Sequence, residues 1–172
     1  MLIDSWKHTY SDLFVDSVRR IVDPRDIKYI VVHHMEPDHS GSLPKLLSET
    51  GVKPTLVGRP LVKDMLKFFY GIETNFKAVK DLDALNIGSV ELRFIHIPWL
   101  HRPDTIATYI KDLKVLLTCD AFGGYWIPPT LYDDEDSVVQ QYLLYVRKYV
   151  ATVIGHYSEY ILKNIEKVRA LN

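Results

Sequence analysis

The feature that most constrains this chain is an abrupt change of character at residue 33. Ile27-Lys28-Tyr29-Ile30-Val31-Val32 is dense in β-branched side chains and reads as a buried strand. It runs straight into His33-His34-Met35-Glu36-Pro37-Asp38-His39-Ser40-Gly41-Ser42. Sites are built at such exits, because the strand fixes the backbone while the loop aims its side chains. His34, Glu36, Asp38 and His39 are potential metal ligands at alternating and adjacent positions. In extended backbone, residues two apart point the same way, so His34 and Glu36 can reach one ion. Pro37 limits the loop, and Asp38-His39 then turns toward a second position. Imidazole with carboxylate suits iron, manganese or zinc rather than copper(I).

Two further strand exits carry ligands. Val90 to Ile97 reads as a strand and delivers His101 in Trp99-Leu100-His101-Arg102-Pro103-Asp104-Thr105. Val115 to Cys119 reads as a buried strand ending in Asp120-Ala121-Phe122-Gly123-Gly124. The glycines leave room beside Asp120, whose two oxygens can bridge two metals. Taken singly, His101 is a hydrogen-bonded loop histidine and Asp120 a turn former. Their company with the first segment is what raises them.

The rest of the chain supplies a mixed scaffold. Helical spacing predicts helices over Tyr10 to Val22, Leu43 to Thr50 and Pro60 to Tyr70, with a short one over Thr105 to Lys111. Thr55 to Val57 and Asn75 to Val79 read as strands, and Asn86-Ile87-Gly88 as a turn. Val138 to Ile154 and Tyr157 to Leu171 are helical patterns bent around Gly155. Strands mixed with helices argue α/β or α+β architecture in one domain spanning 1–172.

Composition narrows the function. The chain has 172 residues, of which 47% are hydrophobic and 25% charged, which excludes disorder as the main state. Lys plus Arg is 21 against 22 for Asp plus Glu, so no basic footprint marks a nucleic-acid or anionic-membrane partner. No run of about 18 apolar residues is present for a membrane span. Met1-Leu2-Ile3-Asp4 does not start a signal peptide. A single cysteine, Cys119, fits a reducing compartment, so the expected location is cytoplasmic.

The series His34-x-Glu36-x-Asp38-His39, His101 in Leu-His-x-Pro-Asp, and Asp120 in Cys-Asp-Ala-Phe-Gly closely resembles the flavodiiron proteins. That family carries a metallo-β-lactamase-like domain with a non-haem diiron centre. His101 and Asp120 stand 19 positions apart, in agreement with its pattern. The flanking Tyr29-Ile30-Val31-Val32 and Ser40-Gly41-Ser42-Leu43-Pro44 agree as well. Glu36 is diagnostic, since hydrolytic zinc members of the superfamily usually place a second histidine there.

The resemblance implies an α/β fold, the metallo-β-lactamase-like αββα sandwich, here shortened. His34, Glu36 and His101 would hold a first iron, Asp38 and His39 a second, and Asp120 would bridge them. The implied activity is reduction of dioxygen to water or of nitric oxide to nitrous oxide. Flavin mononucleotide in a flavodoxin-like domain supplies electrons in the family, usually across a head-to-tail dimer. Three departures accompany the likeness. The family's further second-iron histidine, in a Ser-His-Gly segment, has no counterpart here, the opening strands are missing, and there is no flavin site within this chain. Arg102 also replaces the usual tryptophan.

The expectation is therefore a domain with two iron ions, with zinc as a possible substitute, fed by a separate donor such as a rubredoxin or flavoprotein. Open sheet edges predict a homodimer. The competing readings are a diiron oxygen-binding sensor, a metal-deficient scaffold and, furthest out, a zinc hydrolase. Among the remaining residues, His156, His33, His96 and His8 are set aside as ligands. Cys119 reads as an inert buried thiol, and Tyr142, Tyr145 and Tyr149 as core or interface. Asp133-Asp134-Glu135-Asp136 lacks the calcium-loop pattern and reads as acid favouring a helix N-terminus.

Overall fold

Alternation along two short strands organises the structure. The computed structural model describes residues 1–51, 53–130, 132 and 135–171. Strands β1 (Leu2–Ile3), β2 (Tyr29–Val31), β3 (Thr55–Gly58) and β4 (Phe76–Ala78) pair in parallel in that order. Helices α1 (Ser11–Arg19), α2 (Pro37–Ser40), α3 (Leu43–Thr50) and α4 (Pro60–Tyr70) lie between them in the chain. Ile30 and Leu56 face a core with Phe14, Val15, Val18, Leu43, Leu46, Val62 and Leu66 from the helices. Their neighbours Val31 and Val57 face the opposite way, into a second core with Leu85, Leu92, Phe94 and Ile106. A strand buried on both faces has no polar side, which explains the unbroken apolar run.

The second sheet is antiparallel, in the order β5 (Ala84–Ile87), β6 (Val90–His96), β7 (Ile106–Ile110) and β8 (Val115–Leu117). Its outer face holds Ile95, Ile97, Leu100, Ala107 and Tyr109 against Ile161, Ile165 and Val168. Those last three belong to α6 (Ser158–Arg169), which follows α5 (Asp136–Tyr149). Helices, sheet, sheet and helix thus stack as an αββα sandwich. No described helix is long and apolar enough to cross a membrane.

The structure corrects the sequence reading in three elements. The segment predicted as a helix over Thr105 to Lys111 holds strand β7 instead: Ile106, Ala107, Thr108 and Tyr109 are buried, and Leu92↔Ile110 through His96↔Ile106 pair in register. Seven residues are too few for a helix to declare its period, and the centre of the sheet decides. The predicted turn at residues 86–88 lies later, because Asn86 and Ile87 pair with Glu91 and Val90 and Gly88 turns at φ +72°. Strand β8 stops at Leu117, and Cys119–Phe122 forms a 3₁₀ turn with Cys119 at φ +54°. Val115 on this edge strand is 41% exposed, so the strand is not buried throughout.

The late bend near Gly155 holds. After α5 the chain makes a π turn over Val150–Ile154 and a 3₁₀ turn over Gly155–Tyr157. A Cβ on Gly155 would stand 2.7 Å from the Val150 carbonyl oxygen, so glycine permits this geometry. Of the acidic run before α5, Asp133 and Asp134 lie outside the described residues.

Candidate metal centre

Strand β2 ends in two histidines that point opposite ways. His33 turns toward the sheets, where its N–H donates to Asp4 Oδ1 at 2.7 Å. Its Nδ1 meets Asp4 Oδ2 at 3.0 Å and its Nε2 the Thr108 hydroxyl at 2.8 Å. Its carbonyl accepts from the Ile106 amide, tying the two sheets together. With every polar group bonded, His33 is structural. His34, the next residue, faces the site and is fully buried.

The other elements converge on His34. Glu36 precedes the short α2 at its N-cap, with Oε2 3.4 Å from His34 Nε2 and 2.7 Å from His101 Nε2. His39, one turn along, points Nε2 at Asp120 Oδ2, 3.2 Å away. Asp120 Oδ2 also lies 3.7 Å from His34 Nε2 and 3.5 Å from His101 Nε2. The His101 loop is held by buried Leu100, by a bond from the Trp99 amide to the Arg102 carbonyl, and by Asn164 of α6 donating to the Pro98 carbonyl.

Two overlapping donor groups result: His34, Glu36, His101 and Asp120, and His34, His39, Cys119 and Asp120. Within each, one ligand atom per residue lies within 4.8 Å of all the others. Five of the six sequence candidates therefore come together. Asp38 does not join them: its side chain is 56% exposed, and its one close contact in the cluster is with His39 Nε2, at 3.8 Å. His156 is exposed and lies edge-on to Tyr157, away from the cluster.

Electrostatics favour a cation here. Burial pushes His34 below its usual pKa, and its Nε2 has no hydrogen-bond partner although it is sealed from solvent. A buried polar nitrogen left without a partner is costly, and a metal aimed between it and the carboxylates removes that cost. The His39 hydrogen bond holds Asp120 below the carboxylate range. Burial pushes Glu36 up, but the His101 bond and the charges of His101 and Arg102 outweigh it and keep it ionised. Burial likewise opposes charge on His39, yet Asp120, Asp4 and Cys119 hold its proton up to about 12. The donors present, three imidazoles and two ionised carboxylates, fit a pair of first-row cations.

Three residues were misread or missed in the sequence. Tyr149 belongs to the site: its hydroxyl donates to the Asp120 carbonyl at 3.2 Å and stands 2.6 Å from His101 Nδ1. With that proton committed, the oxygen accepts Nδ1–H and leaves Nε2 to face the cluster. Tyr142 and Tyr145 instead pack on Trp126. Cys119 is half-buried in the turn after β8 rather than inside the strand, with Sγ 3.0 Å from His34 Nδ1 and 3.4 Å from His39 Nδ1. Burial pushes its thiol up to about 12. Asp4, unremarked in the sequence, bonds His33 and lies 3.6 Å from His39 Nδ1. It follows strand β1, so the strand-exit rule that picked out His34 applies to it too.

The chain is similar to several known proteins. A flavorubredoxin from Klebsiella pneumoniae, an anaerobic nitric oxide reductase, is 33% identical over 175 residues, covering 100% of this chain and 36% of the relative. A flavo di-iron protein variant from Thermotoga maritima superposes with a TM-score of 0.91 at 44% identity, over 98% of this chain and 42% of that one. Rubredoxin oxygen:oxidoreductase from Desulfovibrio gigas gives a TM-score of 0.86 at 27% identity, over 96% and 41%. The chain thus spans about two-fifths of the length of these proteins. The family model described as ODP family beta lactamase matches residues 1–171, and the chain belongs to that family.

Proposed function

We propose that this domain holds a non-haem diiron centre that reduces dioxygen or nitric oxide with electrons from a separate donor. The observation that carries the reading is the pair of donor groups sharing His34 and Asp120, with the partnerless, buried His34 Nε2 between the carboxylates. The relatives' names, a nitric oxide reductase and an oxygen:oxidoreductase, supply the reaction class. Glu36, His34, His101 and Asp120 would hold one iron. His39 and Asp120 would reach the other, with Asp120 as the bridge. When bound, such a pair of ferrous ions supplies two electrons and Lewis acidity to a small diatomic substrate.

The chain's own residues prepare the site. Tyr149 and the Asp120 carbonyl fix the His101 ring, so Nε2 is presented without a search over tautomers. Asp4 and the Thr108 hydroxyl anchor His33, which sets the backbone from which His34 projects. Ionised Glu36 and Asp120 offset the charge of two cations, which lowers the cost of keeping them in a partly buried place. Arg102, exposed beside Glu36, adds positive potential at the rim, which favours approach of an electron-rich ligand. A free thiol at Cys119 suits a reducing compartment, and a cytoplasmic setting with a rubredoxin-like or flavoprotein donor follows from the reading. Pairing of two copies would cover the β1 edge, and sedimentation of the purified chain tests that homodimer.

The direct test is metal content after anaerobic production with iron, followed by gas consumption with an added reductant. About two irons per chain and turnover of either gas are expected. A folded chain that binds no iron under those conditions would overturn the reading. The dioxygen-binding sensor remains the outcome if iron is bound and gas is taken up without turnover.

A further inference from the structure

His34 projects from backbone that is held on both sides. The peptide before it is fixed where the Ile106 amide, at the start of β7, donates to the His33 carbonyl at 3.0 Å. The peptide after it is fixed where the Met35 amide donates to Asp104 Oδ2 at 2.7 Å. We propose that Asp104 is a positioning residue, whose carboxyl group sets His34 and Glu36 against His101 for the cation these three would share. This rests on the metal-centre reading above and names the side chain that joins its two loops.

Three observations carry it. The first is geometry. Peptide groups are planar, so the two bonds fix both backbone torsions of His34. Glu36 follows two residues on, with Oε2 3.4 Å from His34 Nε2 and 2.7 Å from His101 Nε2. Both anchors lie within five residues of His101, so the loop that presents one ligand also aims two others. Main chain alone makes the Ile106 bond, whereas the Met35 bond depends on the Asp104 side chain. The second is the mount of Asp104 itself. The Arg102 amide donates to the Thr105 hydroxyl at 2.9 Å, the Thr105 amide to the Arg102 carbonyl at 3.2 Å, and Arg59 Nη1 to the Pro103 carbonyl. The residues on either side of Asp104 are thus tied down, and its carboxyl group is presented from a fixed frame. The third is cost. Asp104 is 1% exposed, and its Oδ1 is sealed from solvent without a partner. An apolar side chain would fill the place without that penalty, so what the carboxyl group contributes is the position of the Met35 amide.

The other half of the centre is mounted separately. The His39 carbonyl accepts from the Ser5 amide at 2.7 Å and from the Ser5 hydroxyl at 3.0 Å. The next residue, Ser40, meets the Tyr70 hydroxyl at 2.9 Å. None of these supports passes through Asp104. Losing the Asp104 acceptor leaves a buried Met35 amide to find another partner, which loosens His34 and Glu36 while His39 keeps its place. The two cation positions therefore respond unequally.

The test uses the full chain under argon, titrated with cobalt(II) chloride against a chromogenic chelator and followed by visible absorbance. The wild-type chain is expected to bind two equivalents, one of which His101→Asn loses. Asp104→Ala should weaken that same equivalent about 10–100-fold and shift its visible band, while the other is unchanged. Asp104→Asn keeps an acceptor oxygen in the same place and should recover most of the affinity. A general loss of stability would instead weaken both equivalents and spare the band. Amide hydrogen exchange of the wild-type chain needs no variant to fold, and Met35 should exchange as slowly as the amides of β2 and β7. Unchanged binding in Asp104→Ala, equal weakening of both equivalents, no recovery in Asp104→Asn, or fast exchange at Met35 would overturn the proposal and leave the metal centre standing. A folded wild-type chain that binds no cobalt would overturn both.

Discussion

At the scale of single residues, the site is a set of rings held from behind. His101 depends on Tyr149, whose hydroxyl lies 2.6 Å from Nδ1. Tyr149→Phe removes that acceptor without disturbing the ring's bulk, so affinity for a metal held by His34, Glu36, His101 and Asp120 should fall about 10–100-fold. Competition against a chromogenic chelator measures this, and an unchanged affinity would mean that Tyr149 only packs. The sequence showed the ligands more readily than their supports. His34, Glu36 and His39 fall within six residues of one strand exit, where alternation and residue type announce them. Tyr149 meets His101 from 48 positions away, and Asp4 meets His33 from 29, distances no local pattern spans. Cys119 was misread for a different reason. It continues an apolar strand in sequence, and only its left-handed backbone, φ +54°, turns the thiol inward.

At the scale of elements, the sandwich depends on how the outer helix is tied to the second sheet. Lys167 of α6 donates to Asp81 Oδ2 and to the His96 carbonyl, both at 2.8 Å. Burial alone would raise Asp81, but the Lys167 bond and the His96 amide hold it below the usual carboxylate range. A carboxylate lowered in the folded state contributes stability above its unfolded pKa and loses it as pH falls toward the folded value. Thermal unfolding should therefore show an acid-side loss that Lys167→Ala flattens, by no more than about 1 kcal/mol because the pair is partly exposed. A second element-scale test lies at the π turn. Gly155→Ala places a Cβ 2.7 Å from the Val150 carbonyl oxygen and should cost about 1–3 kcal/mol in urea unfolding. Most elements were legible from period and turn residues, including α3 and α4 to their end residues. Strand β7 was not, because its neighbours across the sheet, rather than its own five residues, choose its form.

At the scale of the whole molecule, two sheets share one apolar layer, and Phe94 lies within it with no exposed surface. Phe94→Ala should destabilise the fold by about 3–5 kcal/mol, read from the denaturant midpoint. Metal adds to stability by a separate route. An ion present at 100 times its dissociation constant should add about 2.7 kcal/mol, so chelation should lower the melting temperature of the loaded wild-type chain more than that of a Glu36→Gln variant. The layered αββα architecture was foreseen through the family resemblance rather than from strand order, since nothing in the strands' composition says which pairs with which.

The centre's proposed ligands lie far apart along the chain, His34 to Asp120 by 86 positions (120 − 34) and Glu36 to His101 by 65. Contacts of such separation form late, after local helices and hairpins. While the polypeptide is still emerging from a ribosome, His34, Glu36 and His39 are exposed to the cellular metal pool long before Asp120 exists to close the pocket. A nascent segment of that kind can capture an ion only weakly and release it quickly. Tight loading therefore belongs to the finished chain, and the identity of the metal found in it reports the pool available after synthesis.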